Sequence, residues 1–144
     1  MRVSAYRKIV IGCAVYDLVA TTALAVPILV PMIVSLFESL DHALRFDTNF
    51  ISPDPTTIFL INLAGCSVVI WALVRLRMPS VRLGRFDALY RGMIVLCQIW
   101  AVLHGATPLL LGVSVVLLGM AALELLPVSE ATEIADARST RISA

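Results

Sequence analysis

The chain has 144 residues, 60% of them hydrophobic and 15% charged, with a formal net charge of +1. Soluble domains run about 45–50% apolar and about 25% charged, so this composition excludes a soluble enzyme domain and a disordered chain. The near-neutral balance offers no field for a nucleic acid. The apolar residues gather into four stretches, and a hydrocarbon core takes roughly 17–25 helical residues to cross. The expected fold is therefore all-α: an integral membrane four-helix bundle in a single domain. Its helices fall at about 9–37, 58–76, 87–104 and 107–126, followed by a polar cytoplasmic tail at 127–144. None of the stretches alternates apolar and polar residues as a membrane barrel strand does.

The first stretch starts after Arg2, Arg7 and Lys8, and it contains Asp17, Pro27 and Pro31. Basic residues before an apolar run, with Ala23-Leu24-Ala25 beyond, also fit a cleaved leader. Asp17 would interrupt its apolar core, however, and the run continues to Phe37, so a retained helix is expected. Each proline removes a backbone hydrogen bond, and the two together predict a bend in its outer half. The following loop contains Glu38, Asp41, Asp47 and Asp54 around the lone Arg45. Its first residues keep helical spacing and suit the membrane interface. Ser52-Pro53-Asp54-Pro55-Thr56-Thr57 then reads as a turn with cap candidates for the second helix, Asp54 being a turn or cap residue rather than a catalytic one.

The segment joining the second and third helices holds Arg75, Arg77, Arg82, Arg85 and Arg91. With the N-terminus this places eight basic residues on one side against one on the other. The positive-inside rule then puts both termini in the cytoplasm. The fourth helix carries Gly112, Ser114, Gly119 and Ala122, small residues that suit close packing within the bundle. Cys13, Cys66 and Cys97 have neither metal-type spacing nor an even count, and are expected to pack as small apolar residues.

Ionisable groups at membrane depth are costly and are the first candidates for function. Asp17 lies nine residues past Lys8, roughly 13 Å along a helix. Antiparallel threading brings Arg91 and Glu124 to a similar depth, with Tyr16 and Tyr90 nearby. The candidate site is thus Asp17, Arg91 and Glu124. One reading is a cytoplasm-facing pocket in which Asp17 transfers a proton or grips a polar head group. The other is an Asp17–Arg91 ion pair with Glu124 at the interface. Asn62 and His104 form a second polar group at the opposite side, with Gln98 near the middle of the third helix. No HExxH, CxxC, GxSxG or P-loop pattern occurs, and no cofactor or metal is called for.

Gly12 with Tyr16-Asp17-Leu18, Asp54-Pro55, Gly65, and Arg77 through Pro79 together resemble small four-helix bacterial membrane proteins of the DoxX-like kind. The resemblance implies a multi-pass protein of the bacterial inner membrane that serves as a subunit or partner of a membrane redox system. It supplies no catalytic residue. Three roles follow: an accessory subunit with a membrane-protein partner or a second copy of itself; an enzyme acting on a lipid or isoprenoid-like substrate through Asp17 or Glu124; or an oligomeric small-solute transporter. A reporter active only outside the cytoplasm is expected to stay silent when fused to either terminus. Activity at either end would reverse the orientation.

Overall fold

In a computed structural model that describes residues 1–128, the chain forms five α-helices: α1 Val3–Thr21, α2 Val30–Ala43, α3 Pro55–Arg77, α4 Val81–Leu103 and α5 Leu109–Glu124. The segment Val3–Ala25, α3 and α4 are long and apolar enough to cross a membrane, and α5 is a shorter apolar helix. The polar tail expected beyond residue 128 lies outside the described residues. Burial is inverted relative to a soluble protein. Val19, Ile28 and Leu103 are 77–80% exposed, while Arg75 and Arg91 are 0% and 2% exposed. Apolar side chains facing outward are at no disadvantage in lipid, whereas charges must turn inward. The protein is accordingly a small multi-pass helical membrane protein.

The first apolar stretch is not one bent helix but two. It breaks at two 3₁₀ turns, Thr22–Ala25 and Pro27–Leu29, with extended backbone at Val26 between them. Pro27 opens the second turn and Pro31 lies in the first turn of α2. A proline there has no helical N–H to lose, so the pair starts a new helix rather than kinking an old one. The break is held from α3. Asn62 Nδ2 donates to the Leu24 carbonyl at 2.7 Å. One turn on, Gly65 lets the two backbones meet, because a Cβ there would lie 2.6 Å from the Leu24 carbonyl carbon.

Asp54 caps α3, accepting from the Thr57 N–H at 2.6 Å, as its position in the turn predicted. The next helix starts at Val81 instead of 87, where Ser80 accepts from the Leu83 N–H at 3.2 Å. Its opening turns carry exposed Arg82 and Arg85, so hydropathy alone misses them. Gly105, at φ +95°, turns the chain toward α5. Of the small residues of α5, Ser114 packs inward while Gly112, Gly119 and Ala122 are exposed. Gly112 and Gly119 face open space, and the buried face is Ser114, Leu117, Ala121 and Glu124. Cys13 is buried, and Cys66 and Cys97 are exposed.

α1 packs chiefly on α3, and α4 chiefly on α5. Tyr6 pins the two pairs at the basic end, donating to the Glu124 carbonyl at 2.5 Å. Beside it the N-terminal amine donates to the Pro127 carbonyl at 2.8 Å. At the opposite end Asp41 of α2, expected in the interfacial first part of the outer loop, is fully buried. It accepts from the Thr48 N–H at 2.7 Å, the Thr48 hydroxyl at 2.9 Å and the Thr107 hydroxyl before α5. The chain reaches Thr48 through two left-handed residues, Arg45 and Asp47 at φ 61° and 52°, each a conformation that costs about 1–2 kcal/mol.

Burial opposes ionisation of Asp41, but the hydrogen bonds from Thr107 and Thr48 outweigh it and hold the carboxyl below its ordinary value. A carboxyl with a lowered folded-state pKa stabilises the fold above the unfolded value of about 3.9, and the contribution disappears as pH falls through the folded value. Thermal stability in detergent is expected to drop on acidification below about pH 4. Asp41→Asn should be less stable at neutral pH and lose this part of the acid dependence. An unchanged profile would remove Asp41 as the clamp.

Candidate functional site

The candidate site is an ion network buried between the helix pairs. Asp17 enters from α1, eleven residues beyond Tyr6, which is roughly 16 Å deeper along the helix axis. Arg75 comes from the last turn of α3, Asp87 and Arg91 from successive turns of α4, and Glu124 from the end of α5. The four elements run up and down, so their polar positions converge even though they are distant in sequence.

At its centre two carboxylates and two guanidiniums alternate in a ring. Arg75 Nη1 donates to Asp87 Oδ2 at 2.5 Å, and its Nη2 donates to Asp17 Oδ2. Arg91 Nε donates to the same Asp87 oxygen at 2.8 Å, and its Nη2 to the same Asp17 oxygen at 2.6 Å. Trp71, one helical turn before Arg75, donates its indole N–H to Asp87 Oδ1 at 2.6 Å, and its ring lies 5.9 Å from the Arg75 guanidinium carbon. The planar guanidinium fork suits this bridging, since each arginine can reach two acids with separate N–H groups.

Glu124 flanks the ring. Its Oε1 is 3.8 Å from Arg75 Nη1 and its Oε2 is 3.6 Å from Arg91 Nε. These separations are ionic contacts too long for hydrogen bonds. Both carboxylate oxygens are buried without a hydrogen-bond partner, as is Arg75 Nε.

The three sequence candidates therefore meet: Arg91 bonds Asp17 directly and approaches Glu124. Two details of the expectation are corrected. The expected ion pair is a four-membered ring, and Glu124 is fully buried rather than interfacial. Arg75 and Asp87 were missed. Arg75 passes for an orientation-setting residue at the end of an apolar run, and Asp87 falls at the very start of the expected helix, where a charge is ordinary. The available signal was spacing. Asp87–Arg91 and Trp71–Arg75 are both i,i+4 pairs, which share one helix face.

The second polar group does not form a site. Asn62 is spent on Leu24, and the Gln98 side-chain carbonyl accepts from the Ser114 hydroxyl at 2.7 Å. His104 stacks on Trp100 at 4.1 Å, and its Nδ1 lies 2.7 Å from the Trp100 carbonyl oxygen. Among the described residues no three His, Cys, Asp or Glu side chains are grouped to hold a metal ion.

Removing one member of a buried ion network strands its partners, at a cost of about 3–5 kcal/mol. Arg91→Leu leaves Asp17 and Asp87 each with one guanidinium, and is expected to lower stability in detergent by about that amount. Asp17→Asn keeps an acceptor for both arginines and should cost less. Equal, wild-type-like melting of both variants would contradict a structural ring.

No protein-family model matches the chain, and no curated protein or solved structure is similar to it at a significant level.

Proposed function

We propose that the protein is a non-catalytic accessory subunit of a bacterial inner-membrane assembly, of the DoxX-like kind. In this reading both termini are cytoplasmic and the basic end faces inward. α5 completes a fourth crossing, about 24 Å long at 1.5 Å per residue. The observation that carries the reading is the commitment of the charged groups to one another. Both guanidiniums bridge Asp17 and Asp87, so the ring links α1, α3 and α4 while Glu124 draws in α5. Such a ring fixes which helices are neighbours. Buried polar groups have this use elsewhere, setting register and partner choice at a cost in stability.

With the interior charges spent, contact with a partner falls to the outer faces. These are apolar nearly throughout, with Phe59, Ile70, Leu96 and Trp100 all exposed. Lipid contact alone satisfies such surfaces, and a membrane partner competes for them through close packing.

A second reading, an enzyme acting on a lipid or isoprenoid-like substrate, is favoured by one feature. Glu124 has two buried carboxylate oxygens without hydrogen-bond partners, and a catalytic role is one of the reasons a buried polar group is left unsatisfied. Extraction of the tagged protein in a mild detergent is expected to recover a membrane partner in fixed stoichiometry. Glu124→Gln should leave both recovery and cellular phenotype intact. Recovery of the chain alone, together with loss of the phenotype in Glu124→Gln at normal protein level, would replace the subunit by the enzyme.

A further inference from the structure

Between the ion ring and the Asp41 clamp the two helix pairs do not close on each other. They enclose a cavity of about 420 Å³, within the 300–1,000 Å³ range of small-molecule sites. Its walls are mostly apolar, including Leu24, Ile33, Phe37, Ile94 and Leu117, and come from α1, the first 3₁₀ turn and α2 to α5. Tyr16 on α1 and Tyr90 on α4 line it and are also exposed. Its mouth therefore lies between these two helices and faces the hydrocarbon of the bilayer.

A space of this kind, opening into lipid and walled by lipid-like side chains, suits a hydrocarbon chain. The ring lines the cavity through Asp17, Asp87 and Arg91, and Tyr16, Thr21, Tyr90 and Gln98 add uncharged polar groups. Both guanidiniums meet Asp17 at Oδ2 alone, which leaves Oδ1 uncommitted as an acceptor. The Tyr90 hydroxyl is without a hydrogen-bond partner among the described residues, and Gln98 uses its carbonyl on Ser114 while its amide N–H groups remain to donate.

Charge count and lining together decide which head group fits. Three carboxylates face two guanidiniums in the network, so no positive charge is left over for a phosphate or a carboxylate. An amine would have to share the cavity with Arg91. A hydroxyl meets both requirements, donating to Asp17 Oδ1 and accepting from Tyr90 or Gln98. We propose that this cavity is a binding site for a neutral, single-chain lipid alcohol, its hydroxyl at Asp17 and Tyr90 and its chain among Leu24, Ile94 and Leu117. The site belongs to this chain alone, so its test is independent of any partner subunit.

The experiment is photolabelling of the purified full-length protein in detergent with a long-chain alcohol carrying a diazirine in its alkyl chain. Matched diazirine fatty acid and alkylamine probes are run beside it. The alcohol is expected to label peptides containing Leu24, Ile94 or Leu117 saturably, with competition by unlabelled alcohol, while the acid and the amine label those peptides little. Ile94→Trp fills the cavity and should reduce the labelling about tenfold, a change worth about 1.4 kcal/mol. Tyr90→Phe removes one hydroxyl at little steric cost and should weaken competition by the alcohol several-fold; it carries the test if Ile94→Trp does not fold. Labelling spread over outward-facing positions such as Val19 and Leu103, and unchanged by the variants that fold, overturns the proposal. So does preference for the acid or the amine.

Discussion

Two arginines buried between helices, each bound to the same two aspartates, are the constraint on which the rest of this structure depends. A guanidinium in a hydrocarbon layer is tolerated only when its charge and its N–H groups are met inside the protein. Arg75 and Arg91 meet that condition by sharing Asp17 and Asp87. Because the four side chains come from three helices, satisfying them fixes how α1, α3 and α4 lie together. Apolar packing alone would not, since lipid competes with helix for every outward-facing leucine and valine.

The remaining contacts read as consequences of that pin. The helices pair as α1 with α3 and α4 with α5, and the pairs are held together at the ring and by Tyr6 at the basic end. At the other end a second polar clamp, Asp41 with Thr48 and Thr107, does the same work with one carboxylate and two hydroxyls. Between two clamps the pairs stand apart, and the cavity is the result. Bundle and cavity thus share an origin: Asp17, Asp87 and Arg91, which hold the helices, also line the space left between them.

Much of this was legible in the residues. Apolar runs of membrane-crossing length declare a multi-pass helical protein, and Asp54 announces its own capping role. Asp17, Arg91 and Glu124 stand out because nothing but burial or function explains a charge there, and the structure does bring them together. Arg75 and Asp87 stayed hidden for a physical reason. Each sits near the edge of an apolar run, where a charge is ordinary, and only the length of the arginine side chain carries Arg75 inward. The prolines misled in the opposite direction. Pro27 and Pro31 signal interruption, but a kink and a fresh start differ only in whether the backbone between them finds new partners, and those partners, Asn62 and Gly65, are on another helix.

The sequence by itself determined the solvent, the helical class and the gathering of most basic residues into two segments, the N-terminus and the stretch from Arg75 to Arg91. Each of these is a sum over many residues, in which no single contact matters. Tertiary structure decided where the first apolar run breaks, which helices pair, which charges are spent on each other and where a cavity is left. Those outcomes turn on distances between residues such as Asp17 and Arg75, or Leu24 and Gly65, that are far apart along the chain. They are set by the satisfaction of a few polar groups that lipid cannot satisfy.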